Sequence, residues 1–222
     1  MSVRHHISDE LLLDYAAGTL SEGWSLAIAT HLALCPTCQR QLDAMEGAAG
    51  ALLDKISVEP VADDESWQRM RARLEGSKAP QPESKSKPRS EHRPAAVIPE
   101  PLRSYLGSDV EGLKWRALGR GAYHIRIPTD DPSTQVRLLR IPAGKPVPEH
   151  THSGRELTLV LSGSFRDGES VFARGDIEEA DDDLLHTPTA SEGEDCICLA
   201  VTEAPLRFTS WIVRMIQPIL KI

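Results

Sequence analysis

No stretch of this 222-residue chain reaches the roughly 18 consecutive apolar residues that span a bilayer. Its first residues, Met-Ser-Val-Arg-His-His-Ile-Ser-Asp-Glu, lack the apolar core of a signal peptide, so a cytoplasmic location is the expected default. Cysteine is scarce. The four thiols should stay reduced in that compartment, which favours metal ligation or burial over disulfides. Positive charge is scarce where nucleic-acid binding would need it: residues 1–76 carry 6 basic and 12 acidic side chains, within a net charge of −8 for the whole chain. Phosphate neutralisation by Lys and Arg dominates affinity for DNA, so this acidic part is a poor DNA binder and suits a basic protein partner better. No internal repeat is visible.

What is present is the composition of a soluble globular chain, 40% hydrophobic and 26% charged, arranged in three parts. Residues 77–101 hold six prolines, several Ser and Lys, and almost no large apolar side chains, which is the composition of a flexible linker. Before it, over 1–76, the apolar residues recur at three and four. Ser8 and Ser21 are helix caps, Gly18 is a stop, and Pro36 opens a third helix whose inward stripe is Leu42, Met45, Ala49, Leu52 and Leu53. After a break at Glu59-Pro60, a fourth helix begins near Asp64 and carries Trp67, Met70 and Leu74 on one stripe. That stripe fits equally a docking face for a partner and packing on the domain's own core. Over 102–222 the pattern changes to short β-branched or apolar runs such as Gln135–Ile141, Leu157–Leu161 and Cys196–Val201, with turn signals every 8–12 residues. The expected fold is therefore a small helical domain joined to an all-β sandwich or barrel.

His31, Cys35 and Cys38 form an H-x3-C-x2-C run at a helix–turn–helix corner. Two thiols and an imidazole this close supply three corners of a tetrahedral zinc site, and His5 or His6 upstream supplies the fourth. Cys38 falls in the first turn of a helix, where the dipole should lower its thiol pKa. A domain of about 75 residues is near the size at which a core alone is marginal and a zinc staple helps. The bland alternative is a core histidine beside two buried thiols. A redox CxxC is disfavoured because no βαβ pattern surrounds it.

The run Arg4-His5-His6-Ile7-Ser8-Asp9-Glu10-Leu11-Leu12, then Tyr15-Ala16-Ala17-Gly18-Thr19-Leu20, then His31-x3-Cys35-Pro36-x-Cys38, resembles the zinc-containing anti-sigma domain. More narrowly, the chain resembles the ChrR-type anti-sigma factors, which join that domain to a C-terminal cupin. The resemblance covers essentially the whole chain and is weakest in the linker. It implies zinc on His6, His31, Cys35 and Cys38. It also implies a one-to-one complex with an extracytoplasmic-function type sigma factor, kept from core RNA polymerase, with no direct contact to nucleic acid or membrane.

Downstream, Gly144, His150-Thr-His152, Glu156 and Gly163 match the first cupin motif, G-x5-HxH-x3-E-x6-G. Residues two apart on a strand share a face, so His150 and His152 point together and Glu156 re-enters that face after a Ser153-Gly154 turn. His186 is the candidate from the second cupin motif, which is degraded here: Asp181–Asp183 replaces its PxG, and Ala190 stands where asparagine is common. Three imidazoles and a carboxylate hold zinc or another divalent metal. The fold this implies is a cupin jelly-roll, a double-stranded β-helix. No general base or substrate pocket is legible, so a non-enzyme reading leads: the resemblance makes the cupin a sensor of singlet oxygen or related oxidants that permits release of the sigma factor. The alternative is a cupin metalloenzyme, dioxygenase- or isomerase-like, with a small zinc-stabilised regulatory domain. Cys196 and Cys198 share a strand face and read as small buried residues. His92 in the linker and His124 on a strand have no partner in sequence.

Overall fold

A computed structural model describes residues 3–57, 64–76, 96–119, 121–204 and 207–208. The break expected at Glu59-Pro60 and His92 lie outside them. The first helix, α1 (Asp9–Ala17), starts where Ser8 Oγ accepts from the Leu11 amide and ends at Gly18, whose φ of +69° few other residues tolerate. Next, α2 (Glu22–Leu32) buries Trp24, Ile28, His31 and Leu32. It stops short of Cys35 because Pro36 disfavours helical backbone before it and itself opens α3 (Pro36–Leu53). Then come α4 (Asp64–Gly76) and α5 (Glu100–Leu106). No helix among the described residues is long and apolar enough to cross a membrane.

The β-rich part contains β1 (Arg116–Gly119), β2 (Ala122–Ile127), β3 (Gln135–Ile141), β4 (His150–Thr151), β5 (Glu156–Ser162), β6 (Ser164–Asp167), β7 (Ser170–Ala173), β8 (Ile177–Ala180), β9 (Thr189–Ala190), β10 (Cys196–Thr202) and β11 (Arg207–Phe208). The larger sheet runs β1-β2-β3-β10-β5-β8, and two smaller sheets run β7-β6-β9 and β11-β4, all with antiparallel pairings. The expected runs at 135–141, 157–161 and 196–201 are three adjacent strands, with β10 between β3 and β5. Short strands in two opposed sets and every pairing antiparallel give the cupin jelly-roll expected of the C-terminal part.

Packing draws its boundaries at 46 and 96, where the sequence suggests 76 and 101. The chain divides into two compact units, Met1–Glu46 with Ala96–Ile222, and Gly47–Ala95. In the first, Leu11, Leu12, Ala27 and Ile28 from the helices share one core with Leu157, Leu159, Leu199 and Val201 from the strands. Ile98 and Leu102 are fully buried in the same core, and the amides of Val97 and Ile98 donate to Asp109 at 3.0 Å. The last residues of the composition-defined linker are therefore packed, because Val97-Ile98 and Leu102 give that stretch an apolar anchor. In the second unit no described residue is buried. Leu42 and Met45 of α3 pack against the core as expected, but Ala49, Leu52 and Leu53 are exposed. Helical periodicity marks which residues share a stripe, not whether anything covers it.

Candidate metal centres

The N-terminal centre is assembled from two helix ends and an extended arm. His31 sits in the last turn of α2, Cys35 just before Pro36, and Cys38 in the first turn of α3. His6 comes from the arm before α1. His31 Nε2 lies 3.3 Å from Cys38 Sγ, and His6 Nδ1 lies 3.3 Å from Cys35 Sγ and 3.6 Å from Cys38 Sγ. Ligand bonds of ~2.3 Å to sulfur and ~2.0 Å to nitrogen at tetrahedral angles put neighbouring donor atoms about 3.5 Å apart. The four donors, all within 4.8 Å of one another, match that spacing. His5, adjacent in sequence, is turned elsewhere: its ring packs tilted by 35° against that of Phe172, with centroids 4.2 Å apart. Of the two histidines left open by the spacing, His6 is the one whose ring joins the group.

His31, Cys35 and Cys38 are buried and His6 is exposed. Burial lowers the His31 pKa to about 4, so the ring is neutral and keeps a lone pair for a metal. The Cys38 thiol is pushed up to about 11, mainly by burial and by its neighbour Cys35, against a lowering by the Ile7 backbone. This reverses the expectation from the helix dipole: desolvation outweighs it. A cation among the donors would supply the missing positive charge.

The barrel centre is built on a bridge between β4 and the segment before β9. His150 and His186 exchange amide–carbonyl hydrogen bonds at 3.1 Å, which locks them side by side. His186 Nε2 lies 3.2 Å from His150 Nε2 and 3.0 Å from His152 Nε2. Each Nδ1 faces an oxygen: that of His150 donates to the Pro148 carbonyl at 2.8 Å, that of His186 meets Asp167 Oδ2 at 2.8 Å, and that of His152 lies 3.2 Å from Glu156 Oε2. Holding Nδ1–H on an acceptor leaves the Nε2 lone pairs converging, an arrangement that repels itself unless a cation sits between them. The residues therefore fit a divalent metal held by three imidazoles.

Glu156 is placed differently from the other three. It is not in the converging group. Its Oε2 lies on His152 Nδ1, and its Oε1 accepts from Thr158 Oγ1 at 2.8 Å. Burial alone would raise its pKa, but His152, Thr158 and His150 together outweigh that and hold it below the usual carboxylate value. Sequence reading missed Asp167 and Glu178, which gather round His186. Glu178 is pushed up to about 8 by burial and by Asp167. Neither lies at a motif spacing from a histidine, so only the strand pairing could have revealed them.

His150, Glu156, Glu178 and His186 open onto a pocket whose other walls include Leu139, Ile141, Phe165 and the two cysteines of β10. Cys196 and Cys198 are buried and free, and the Cys198 thiol is raised well above its ordinary value by Cys196 and by burial. His124, left without a partner in sequence, lies 2.9 Å from Arg137 Nη1.

Residues 105–205 match the ChrR cupin-like domain family. The chain is 46% identical over 224 residues to the anti-sigma-E factor ChrR of Cereibacter sphaeroides, covering 100% of both chains. It also superposes on a chain from the crystal structure of Rhodobacter sphaeroides SigE in complex with the anti-sigma ChrR, with a TM-score of 0.74 and 42% identity, covering 90% of this chain and 99% of that one.

Proposed function

This chain belongs to the ChrR family of anti-sigma factors, and from that premise we propose that it holds an extracytoplasmic-function sigma factor, one to one, away from core RNA polymerase. The full-length likeness to a protein crystallised with its sigma factor is the observation that carries this reading. The role is regulatory and not enzymatic. Co-expression of the full chain with the sigma factor encoded beside it tests the reading. An equimolar complex that excludes core polymerase is expected; a chain that binds no sigma factor overturns it.

Within that function, residues 1–76 are the inhibitory part and 102–222 the regulatory part. Zinc is the metal of the N-terminal centre, held by His6, His31, Cys35 and Cys38, because two thiolates and two imidazoles at tetrahedral spacing suit it. The barrel centre holds zinc or another divalent metal on His150, His152 and His186, with Glu156 as the carboxylate beside them. A metal bound there would supply Lewis-acid polarisation to a small molecule entering from the pocket. The chain's own contribution is to aim three Nε2 lone pairs, fix their tautomers and wall the site with apolar side chains. Oxidants such as singlet oxygen act at this site in the cytoplasm, and the sigma factor is then released. Trp67, Met70 and Leu74, each more than half exposed, support the docking reading of the α4 stripe.

A further inference from the structure

The arm that carries His6 belongs to neither a helix nor a strand, so something else must hold it in place. Asp176, 2% exposed in the turn between β7 and β8, is what it meets. One carboxylate oxygen of Asp176 accepts from the amides of Arg4 at 2.6 Å and His5 at 2.9 Å, and the other accepts from the Ala173 amide at 2.9 Å. His5 Nδ1 lies 3.5 Å from the same carboxylate. The next amide, of Ile177, donates to the His5 carbonyl at 3.3 Å, and Glu179 Oε1 accepts from the Ser8 amide at 2.7 Å. His6 is thus bracketed on both sides by bonds to one barrel edge. Gly175 completes the fit: at φ +93° it has no side chain, and a Cβ there would come within 2.7 Å of Val3 Cγ2.

From these contacts we infer that Asp176 is the positioning residue of the N-terminal metal centre, seating the His6 arm so that its imidazole reaches Cys35 and Cys38. Hydrogen bonds to a buried carboxylate are about twice as strong as neutral ones, and a ligand held by them loses little on binding a metal. The strand that begins at this turn also reaches the other centre. Glu178 faces the barrel pocket with Asp167 and His186, while Glu179 holds Ser8, as strand alternation requires. One short strand therefore meets the barrel centre through Glu178 and the His6 arm through Ile177 and Glu179. This deepens the function proposed above and rests on it only for the consequence at the sigma factor.

The test is peptide-resolved alkylation of the zinc-loaded full chain without any sigma factor. A maleimide reports on Cys35 and Cys38 at the N-terminal centre and on Cys196 and Cys198 in the barrel within the same sample. Asp176→Ala should label Cys35 and Cys38 at least about tenfold faster, the usual cost of removing a partner behind a metal ligand, and approach His6→Ala. Cys196 and Cys198 should stay as protected as in the parent. Asp176→Asn, which keeps one acceptor oxygen, should fall between. If Asp176→Ala exposes all four thiols, the barrel has unfolded, and Asp176→Asn and Glu179→Gln decide by the same criterion. Parent-like protection of Cys35 and Cys38 in a variant whose barrel thiols stay protected overturns the inference. A chain that shows the expected labelling yet binds no sigma factor would sink the proposed function and leave the positioning role standing.

Discussion

The two metal centres are built on opposite plans. At the N-terminal centre all four corners of a tetrahedron are protein donors, two of them sulfur, and three of the four residues are buried. At the barrel centre three imidazole nitrogens converge, each backed by an oxygen on its far side, and the site opens onto an apolar pocket. A closed site with four protein ligands holds structure together, whereas three ligands beside a cavity leave a position where a small molecule can react. The difference teaches where each task would lie: a metal at the first centre would staple the corner between α2, α3 and the His6 arm, and one at the second would be open to a small molecule.

The largest effect expected from this comparison is at the closed centre. Cys35→Ser with Cys38→Ser should abolish zinc binding there, removing on the order of 10 kcal/mol of apparent binding energy, and with it sigma-factor inhibition. Metal content and a competition assay with core polymerase check both. Retained inhibition would make the staple dispensable. Gly163→Ala comes next, because the motif glycine sits at φ +67° and an added Cβ would lie 2.5 Å from the Asp195 carbonyl oxygen. Backbone strain and overpacking together should cost about 3 kcal/mol of stability, read by denaturant unfolding, with the loss arising in the barrel. Asp167→Asn sharpens the plan of the open centre. Weakening the bond to His186 Nδ1 should lower barrel metal affinity by about 10–100-fold in a chelator competition, leaving Cys35 and Cys38 as protected as before.

The smallest effect lies away from both centres, at Asp109. Burial alone would raise its pKa, but the amides of Val110, Ile98 and Val97 outweigh burial and hold the carboxyl below its usual value. A folded-state pKa below the unfolded one means the stabilisation is complete above the ordinary carboxylate range and is lost as pH falls through the depressed value. Asp109→Asn should cost about 1 kcal/mol at pH 7, a typical loss for a cap, and flatten the acid side of the stability profile. An unchanged profile would remove Asp109 from the anchoring of α5.

What could be read from the sequence follows from distance along the chain. His31, Cys35 and Cys38 lie within eight residues on adjoining helix ends, and His150 and His152 lie two apart at the end of β4, so local spacing reveals them. Ser8, Gly18 and Pro36 mark helix limits for reasons of local backbone geometry, and the structure keeps all three. The anchoring role of Asp176 is not legible, because the arm amides it holds are more than 170 residues earlier. Asp167 is hidden for the same reason: it meets His186 across a hairpin and two loops. Burial also lay beyond reach. The same apolar spacing gives a packed Met45 and an exposed Leu52 on one helix, and the pKa of a helix-start thiol expected to ionise easily is instead raised by burial where no cation balances its charge.

The division of labour between the two centres is tested most directly by one measurement. The full chain and its His150→Ala variant are each bound to a fluorescently labelled sigma factor, and anisotropy is followed during photosensitised production of singlet oxygen. The account predicts equal initial binding for both, then release from the parent complex and retention in the variant. A variant that fails to bind at the outset, or that releases the sigma factor as fast as the parent, would contradict it.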